Sequence, residues 1–284
     1  MIEAMHPRRR FLAFADYLRA RFGDRVQKVS LGHRLVCPWP EGPRACPFCQ
    51  EARELDPNYG HGLPPHEHIR RSANFARGRG EEVRLMVMAH LPVGVSDPLD
   101  HVRSTFQLAM LQPGVVALAL NLAPDQINEE LFTALSPYHS DERDVWLEVD
   151  GLPDEWPASR NGGIRVGVHV PVPPADMCAT TAAEIRRLAP NAVGFIPPVI
   201  LAETPEAARY QNGKLAEPSL EEYAEGAAAL LERLPADIAV HPVTLPAPLE
   251  EIVGPPWVLN RQKVQEAITK ALEGRGTRQG EHLA

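Results

Sequence analysis

Four cysteines in 284 residues are too few and too unevenly placed for a disulfide framework: Cys37, Cys46 and Cys49 fall together and Cys178 stands far downstream. A reducing compartment follows. No stretch approaches the roughly 18 consecutive apolar residues of a membrane span, the longest candidate being the interrupted run from Leu85 to Val95. Arg8, Arg9 and Arg10 precede the apolar patch Phe11 to Phe14, but Asp16 and Arg19 break it before a signal-peptide core can form. The expected protein is soluble and cytoplasmic, with no membrane partner. Positive charge is also short: 29 Lys and Arg against 37 Asp and Glu leave a net charge of −8. That balance argues against broad nonspecific nucleic-acid binding and leaves room only for a local basic patch. Internal repeats and low-complexity tracts are absent.

What is present is enough apolar material, 44% of residues, for one large core. An α/β barrel of roughly 250 residues fits the length, and nothing suggests a domain boundary, so residues 1–284 are expected to form one domain. Proline is in excess, 29 residues or about 10% where roughly 5% is usual. Short β-branched runs alternate with helical-period stretches, the pattern of a parallel sheet built from βα units. The expected strands are Val26 to Leu31, Arg84 to His90, Val115 to Asn121, Val145 to Val149, Ile164 to Val170, Ala192 to Ile196 and Ile238 to Val243. Between them, Asp97-Pro98 opens a helix running to Ala109. Ser219 and Glu222 form a capping box ahead of an Ala-rich helix to Leu234, stopped by Pro235. Asn260 to Leu272 is the last helix, closed by Gly274. Gly151 to Gly163 and Pro171 to Pro174 read as strand-end loops, and the His-, Arg-, Gly- and Pro-rich stretch from residue 51 to 80 reads as a long loop.

The strongest local signal is Cys37-x8-Cys46-x2-Cys49, soon after the first expected strand. Three thiolates on one loop can hold three corners of an iron–sulfur cluster, because soft sulfur ligands select Fe–S or Zn over hard cations. With no fourth cysteine nearby, one iron stays open for a small molecule to chelate. Zinc is the competing reading, with Cys46 and Cys49 paired to His66 and His68, which leaves Cys37 over. Three buried, unmetallated thiols are the plainest alternative. Cys178 reads as a small buried hydrophobe rather than a fourth ligand.

The run Phe14-Ala-Asp-Tyr17-Leu18-Arg19-Ala-Arg-Phe22-Gly23, the strand bearing Lys28 and the cysteine loop together resemble the amino-terminal signature of the YhcC/YtqA-type proteins of the radical S-adenosylmethionine (SAM) superfamily, an elongator-protein-three-like group. The carboxyl-terminal third resembles the same group through Ser219-Leu-Glu-Glu-Tyr223, Trp257-Val-Leu-Asn260 and Gly276-Thr277-Arg-Gln279-Gly280. The resemblance implies an α/β fold, a partial (β/α)6 TIM-type barrel with terminal helical extensions. In it, residues 32–50 form the cluster loop, 51–80 the irregular loop, and about 215–284 a family-specific extension. It implies a [4Fe–4S] cluster on Cys37, Cys46 and Cys49 that binds SAM, accepts an electron from a donor protein and cleaves SAM to a 5′-deoxyadenosyl radical. Phe48 takes the aromatic position near the adenine.

His90, Asn121, Asp125 and Glu148, at the ends of successive strands, are the remaining pocket residues implied, in a divergent setting. Met88-Ala-His90-Leu-Pro92 replaces a Gln-Ala-Tyr-Thr-Asn type of run, and Pro124-Asp125 has lost the Thr-Arg before it. Apolar residues and prolines thus stand where relatives keep polar strand ends. Two readings follow: a radical SAM enzyme with an altered substrate, or a noncatalytic Fe–S or Zn scaffold or partner protein on the same fold. RNA enters as a substrate by analogy with relatives that modify tRNA, and Arg70, Arg71, Arg77 and Arg79 read either as phosphate contacts or as a solvated basic face.

Overall fold

The computed structural model describes residues 9–23, 25–31, 69–71, 74, 84–90, 98–161, 163–244 and 252–283. Cys37, Cys46, Phe48 and Cys49, with Arg77 and Arg79, lie outside them. Two compact units are present: Leu18–Gly167, and Met1–Tyr17 with Val168–Ala284. Helix α1 (Phe14–Phe22) and strand β5 (Ile164–Pro171) run across the division.

In the unit Leu18–Gly167, β1 (Val26–Leu31), β2 (Arg84–His90), β3 (Val115–Leu122) and β4 (Asp144–Asp150) pair in parallel, each beside the next. The near-continuous apolar sequence of β3, the fully buried Val-Val-Ala-Leu-Ala-Leu-Asn-Leu, suits a strand covered on both faces. One face carries Val29, Leu85, Val87, Leu118, Leu120, Val145 and Leu147 into a core. Helix α2 (Pro98–Met110) adds Val102 and Phe106, and α3 (Glu129–Leu135) adds Leu131 and Phe132. Burial of each such large side chain stabilises the unit by about 1.5–3 kcal/mol before chain entropy is set against it. Asn128 caps α3 by accepting from the Leu131 N–H at 2.9 Å. The opposite face alternates with this core at a period of two and holds the charged groups. At the start of β4, Asp144 is fully buried and both its carboxylate oxygens are engaged, by Arg21 Nε at 3.3 Å and Arg165 Nε at 3.0 Å.

In the second unit, β6 (Ala192–Ile196) pairs in parallel with β8 (Ala239–His241), and β7 (Ile200–Leu201) pairs antiparallel with β9 (Ile252–Gly254). Around them pack α4 (Cys178–Leu188), α5 (Pro205–Gln211), α6 (Leu220–Leu231) and α7 (Arg261–Gly274). The expected Ser219–Glu222 capping box opens α6. Asn260 caps α7, accepting from the Lys263 N–H. Strand β8 is shorter than the expected Ile238 to Val243, because Pro242 has no N–H with which to extend the ladder. The amino-terminal segment seals its edge: Val240 N–H donates to the Leu12 carbonyl at 2.8 Å and Ala13 bridges Val240 in parallel. Unpaired sheet edges invite association, and covering one with the chain's own terminus removes that hazard.

The hydrogen-bonded strand order is β1-β2-β3-β4-β5-β6-β8. Strands that follow one another in chain order, parallel where their pairing is described and alternating with helices, make an α/β fold of the barrel type, as expected.

Candidate functional site

The parallel register sets His90 of β2 opposite Asn121 of β3, and Asn121 opposite Glu148 of β4. Three of the five expected pocket residues therefore stand at one level in the carboxyl-terminal halves of three neighbouring strands, the end of a parallel sheet that carries ligand sites. Asn121 and Glu148 are each 3% exposed. The Asn121 amide donates from Nδ2 to the Glu148 carbonyl oxygen at 3.0 Å, tying the two strand ends together. Glu148 Oε1 accepts from Lys28 Nζ at 2.9 Å.

That last contact carries information about shape within this unit. Lys28 lies on β1 and Glu148 on β4, three strand spacings apart, or about 14 Å along a flat sheet. A direct ion pair across that interval requires the sheet to curl toward its charged face, as a barrel wall does. Lys28 is about one-third exposed and runs its aliphatic stem along the sheet to deliver its ammonium to a buried carboxylate. A carboxylate so buried is costly unless paired, and the pairing is what permits it there. Asp150, two residues beyond Glu148, is also buried.

Asp125 is exposed on the turn Pro124–Gln126 after β3, where Gln126 Oε1 accepts from the Ala123 N–H at 3.0 Å. Among the described contacts none joins Asp125 to the Asn121–Glu148 row. Cys178 is fully buried, with Sγ 3.4 Å from the Gly226 carbonyl oxygen, and burial pushes its thiol up. It is a packing residue, as expected. Among the described residues no group of three or more His, Cys, Asp or Glu is placed to hold a metal, and no helix is long and apolar enough to cross a membrane.

The second unit holds a polar cluster outside the expected pocket set, of which His169 had not been singled out. His169 of β5 is 4% exposed and lies against Gly194 of β6, where a Cβ would come within 2.4 Å of the imidazole Cδ2 and 2.6 Å of Thr244 Oγ1. His241, opposite Gly194 in the register, meets His169 edge-on at 6.4 Å and packs on Phe14 at 3.9 Å. It also lines an open cavity of about 750 Å³ with Arg9, Arg261, Gln265 and Lys270. The available signal was Gly194 itself: a lone glycine inside an apolar strand marks a close approach.

The carboxyl-terminal signature residues are structural. Trp257 Nε1 donates to the Pro218 carbonyl at 2.8 Å, and the Trp257 ring packs on Tyr223, whose hydroxyl donates to the Pro242 carbonyl at 2.9 Å. Thr277 Oγ1 donates to Glu232 Oε1. Gln279 accepts from the Leu12 N–H and donates to the Pro235 and Ile238 carbonyls.

Residues 190–274 match the radical SAM carboxyl-terminal domain family. Over nearly its whole length the chain aligns with the uncharacterized protein YtqA of Bacillus subtilis, at 26% identity across 96% of this chain and 92% of that one. YhcC of Escherichia coli K12 aligns at 22% identity over 87% of each chain. The chain is similar to radical SAM proteins of the YhcC/YtqA type. It also matches MJ0486 of Methanocaldococcus jannaschii at 21% identity, over 95% of its own length and 91% of the other. Among solved structures it superposes on the archaeal Elp3 of Methanocaldococcus infernus, lacking residues 1–46 of that protein, with a TM-score of 0.57 and 14% identity. That superposition covers 89% of this chain and 64% of the Elp3 chain, and it establishes a shared fold.

Proposed function

We propose that the chain is a radical SAM enzyme in which Cys37, Cys46 and Cys49 ligate a [4Fe–4S] cluster and the strand-end row receives SAM. The observation that carries this reading is the buried pair Asn121 and Glu148, reached by Lys28, at the end of the sheet where a barrel takes its ligands. The donor chemistry fits: three thiolates suit iron–sulfur and leave one iron open to chelate the amino and carboxylate groups of SAM, and a buried carboxylate suits hydrogen-bond donors such as ribose hydroxyls. When bound, the cluster supplies the electron that cleaves SAM to methionine and a 5′-deoxyadenosyl radical, which takes a hydrogen atom from the substrate. The chain's own residues bind and orient. Glu148 offers its carboxylate to the SAM ribose, Asn121 holds the Glu148 backbone in place, and His90, level with Asn121, and Asp125, on the turn after β3, are further contacts. Phe48 stacks near the adenine. An electron-donor protein in the reducing cytosol completes the set.

The prolines that follow β5, β6 and β8, among them Pro173, Pro197, Pro198 and Pro242, surround the strand ends with groups that form few hydrogen bonds. That feature favours an apolar substrate, and it equally supports the second reading, a noncatalytic cluster scaffold. For an RNA substrate, Arg70 and Arg71 are exposed cations among the described residues.

Anaerobic reconstitution followed by dithionite and SAM separates the readings. The enzyme yields a brown protein absorbing near about 400 nm and releases 5′-deoxyadenosine. A cluster without 5′-deoxyadenosine leaves the scaffold. A colourless protein with stoichiometric zinc refutes both iron readings, and full cluster content in Cys46→Ala refutes the ligand assignment.

A further inference from the structure

The open cavity of the second unit plays no part in the proposed function, and its two walls are unlike. One is a polar face of α7: Arg261 and Gln265 lie a turn apart on it, with Glu266, Lys270 and Glu273 further along, so the face runs for about 18 Å. The opposite side of the same helix buries Val264, Ile268 and Leu272. The other wall is mainly apolar. It is made of Val240, Pro242 and Val243 at the carboxyl end of β8 and of the Phe14 and His241 rings, whose centroids are 3.9 Å apart. The volume of about 750 Å³ falls within the roughly 300–1,000 Å³ of small-molecule sites. Gln265 Nε2 is shut off from solvent and has no hydrogen-bond partner. Native proteins rarely leave a buried donor unmet, because it has given up water and gained nothing in return. Arg261, exposed one turn earlier, has no side-chain partner among the described residues, and neither has Lys270. Other charges of the cavity are engaged: Arg9 by Asp16, and Glu266 by the Gln262 amide at 2.8 Å. Glu273 stands more than three turns from Arg261. Near Arg261 the wall therefore presents a guanidinium and an amide donor on successive turns, close enough to share one acceptor group.

We propose that this cavity binds a nucleoside monophosphate, with the phosphate on Arg261 and Gln265 and the base against the Phe14, His241 and Pro242 wall. The planar fork of an arginine takes two phosphate oxygens at once, and a third is left for the Gln265 N–H. A planar base suits a wall that carries two rings. Lys270, on the same face, adds positive charge that draws an anion in. The inference stands on these walls alone and does not rest on the proposed function.

The test is titration calorimetry of the full-length, cluster-reconstituted protein with UMP and with AMP, SAM being held in excess so that an adenine site elsewhere is filled. Both nucleotides are expected to bind, and affinity should fall with added salt. Uridine alone and inorganic phosphate alone should each bind at least about tenfold more weakly, since each meets one wall only. Arg261→Gln should weaken both nucleotides by roughly tenfold or more with no change in the urea midpoint. Gln265→Leu separates binding from structure: it removes the unmet donor, so stability holds or rises, while UMP affinity falls about tenfold. Arg209→Gln, the same loss of charge on α5 outside the cavity, should change neither. No binding of either nucleotide at millimolar concentration, or affinities unmoved by both Arg261→Gln and Gln265→Leu, overturns the inference and leaves the proposed function untouched. A cluster-loaded protein that binds UMP in this way yet forms no 5′-deoxyadenosine sinks the enzyme reading and leaves the inference standing.

Discussion

Removal of one charge, at Glu232, should unlatch the carboxyl-terminal tail from the second unit. Glu232 follows α6 at its C-cap, is completely buried, and is nonetheless ionised. Arg275 grips it with two parallel bonds, Nε to Oε1 at 2.7 Å and Nη2 to Oε2 at 2.9 Å. Thr277 donates to Oε1 at 2.6 Å, and His282 places Nδ1 3.3 Å from Oε2. Burial pushes the carboxyl up, but the hydrogen bonds from Arg275 and Thr277, with the charges of Arg275 and His282, outweigh it and hold the group at about 2. A carboxyl moved from 4.5 to about 2 contributes about 3 kcal/mol of pH-linked stability. Because the folded value is the lower one, that stability is fully present above about pH 5 and is lost as the pH falls through 4.5 toward 2. Glu232→Gln keeps the shape and discards the charge, leaving Arg275 only Glu225, whose carboxylate is more than half exposed. The expected loss at pH 7 is about 3–5 kcal/mol, the range for breaking a buried pair from one side. Urea denaturation with an unchanged m-value measures it. Repeated at lower pH, the gap between wild type and variant should close steadily below about pH 5. A difference under about 0.5 kcal/mol at pH 7, or a gap that stays constant down to pH 3, would refute the reasoning.

Two further outcomes rest on single contacts. Gly194→Ala drives a methyl into the His169 ring and the Thr244 hydroxyl, and should destabilise by about 1–3 kcal/mol as an overpacked site. Adding His169→Ala should recover part of that loss; a neutral Gly194→Ala in denaturation would show that the imidazole yields freely. Cys178, buried and with its thiol pushed up, should stay unmodified in the native protein under iodoacetamide at pH 8 and react after unfolding. Peptide mass spectrometry reads this, and prompt native labelling would contradict its burial.

How far the sequence announced this fold can be traced element by element. Strands β1, β2 and β6 have the expected limits, and in β2 and β6 the apolar stretches Leu85–Ala89 and Ala192–Ile196 mark a parallel strand covered on both faces. Helices with side-chain caps, α6 and α7, were equally plain. Short helices were not: α3 and α5 are 7 residues each, too brief for a 3.6-residue period to emerge, and each is held by a cap and by packing that only the tertiary structure supplies. The β7–β9 pairing escaped because antiparallel strands of 2 and 3 residues, separated by some fifty residues of chain, have no local signature.

The site was legible in a different way. The family resemblance singled out His90, Asn121 and Glu148 at strand ends, and the parallel register sets them at one level. Strand-end position was not enough for Lys28, which lies mid-strand and reaches the row only because the sheet curls, a property of the assembled strands that no single segment carries. Nor could sequence separate chemistry from architecture at the carboxyl end. Thr277 and Gln279 sit in the most family-like run of the chain, yet Thr277 closes the Glu232 latch and Gln279 ties the Leu12 segment to the residues entering β8. Those matches speak for a preserved scaffold. The case for preserved chemistry therefore rests on the cysteine loop, which lies outside the described residues, and on one curled row of polar side chains, Lys28, Asn121 and Glu148.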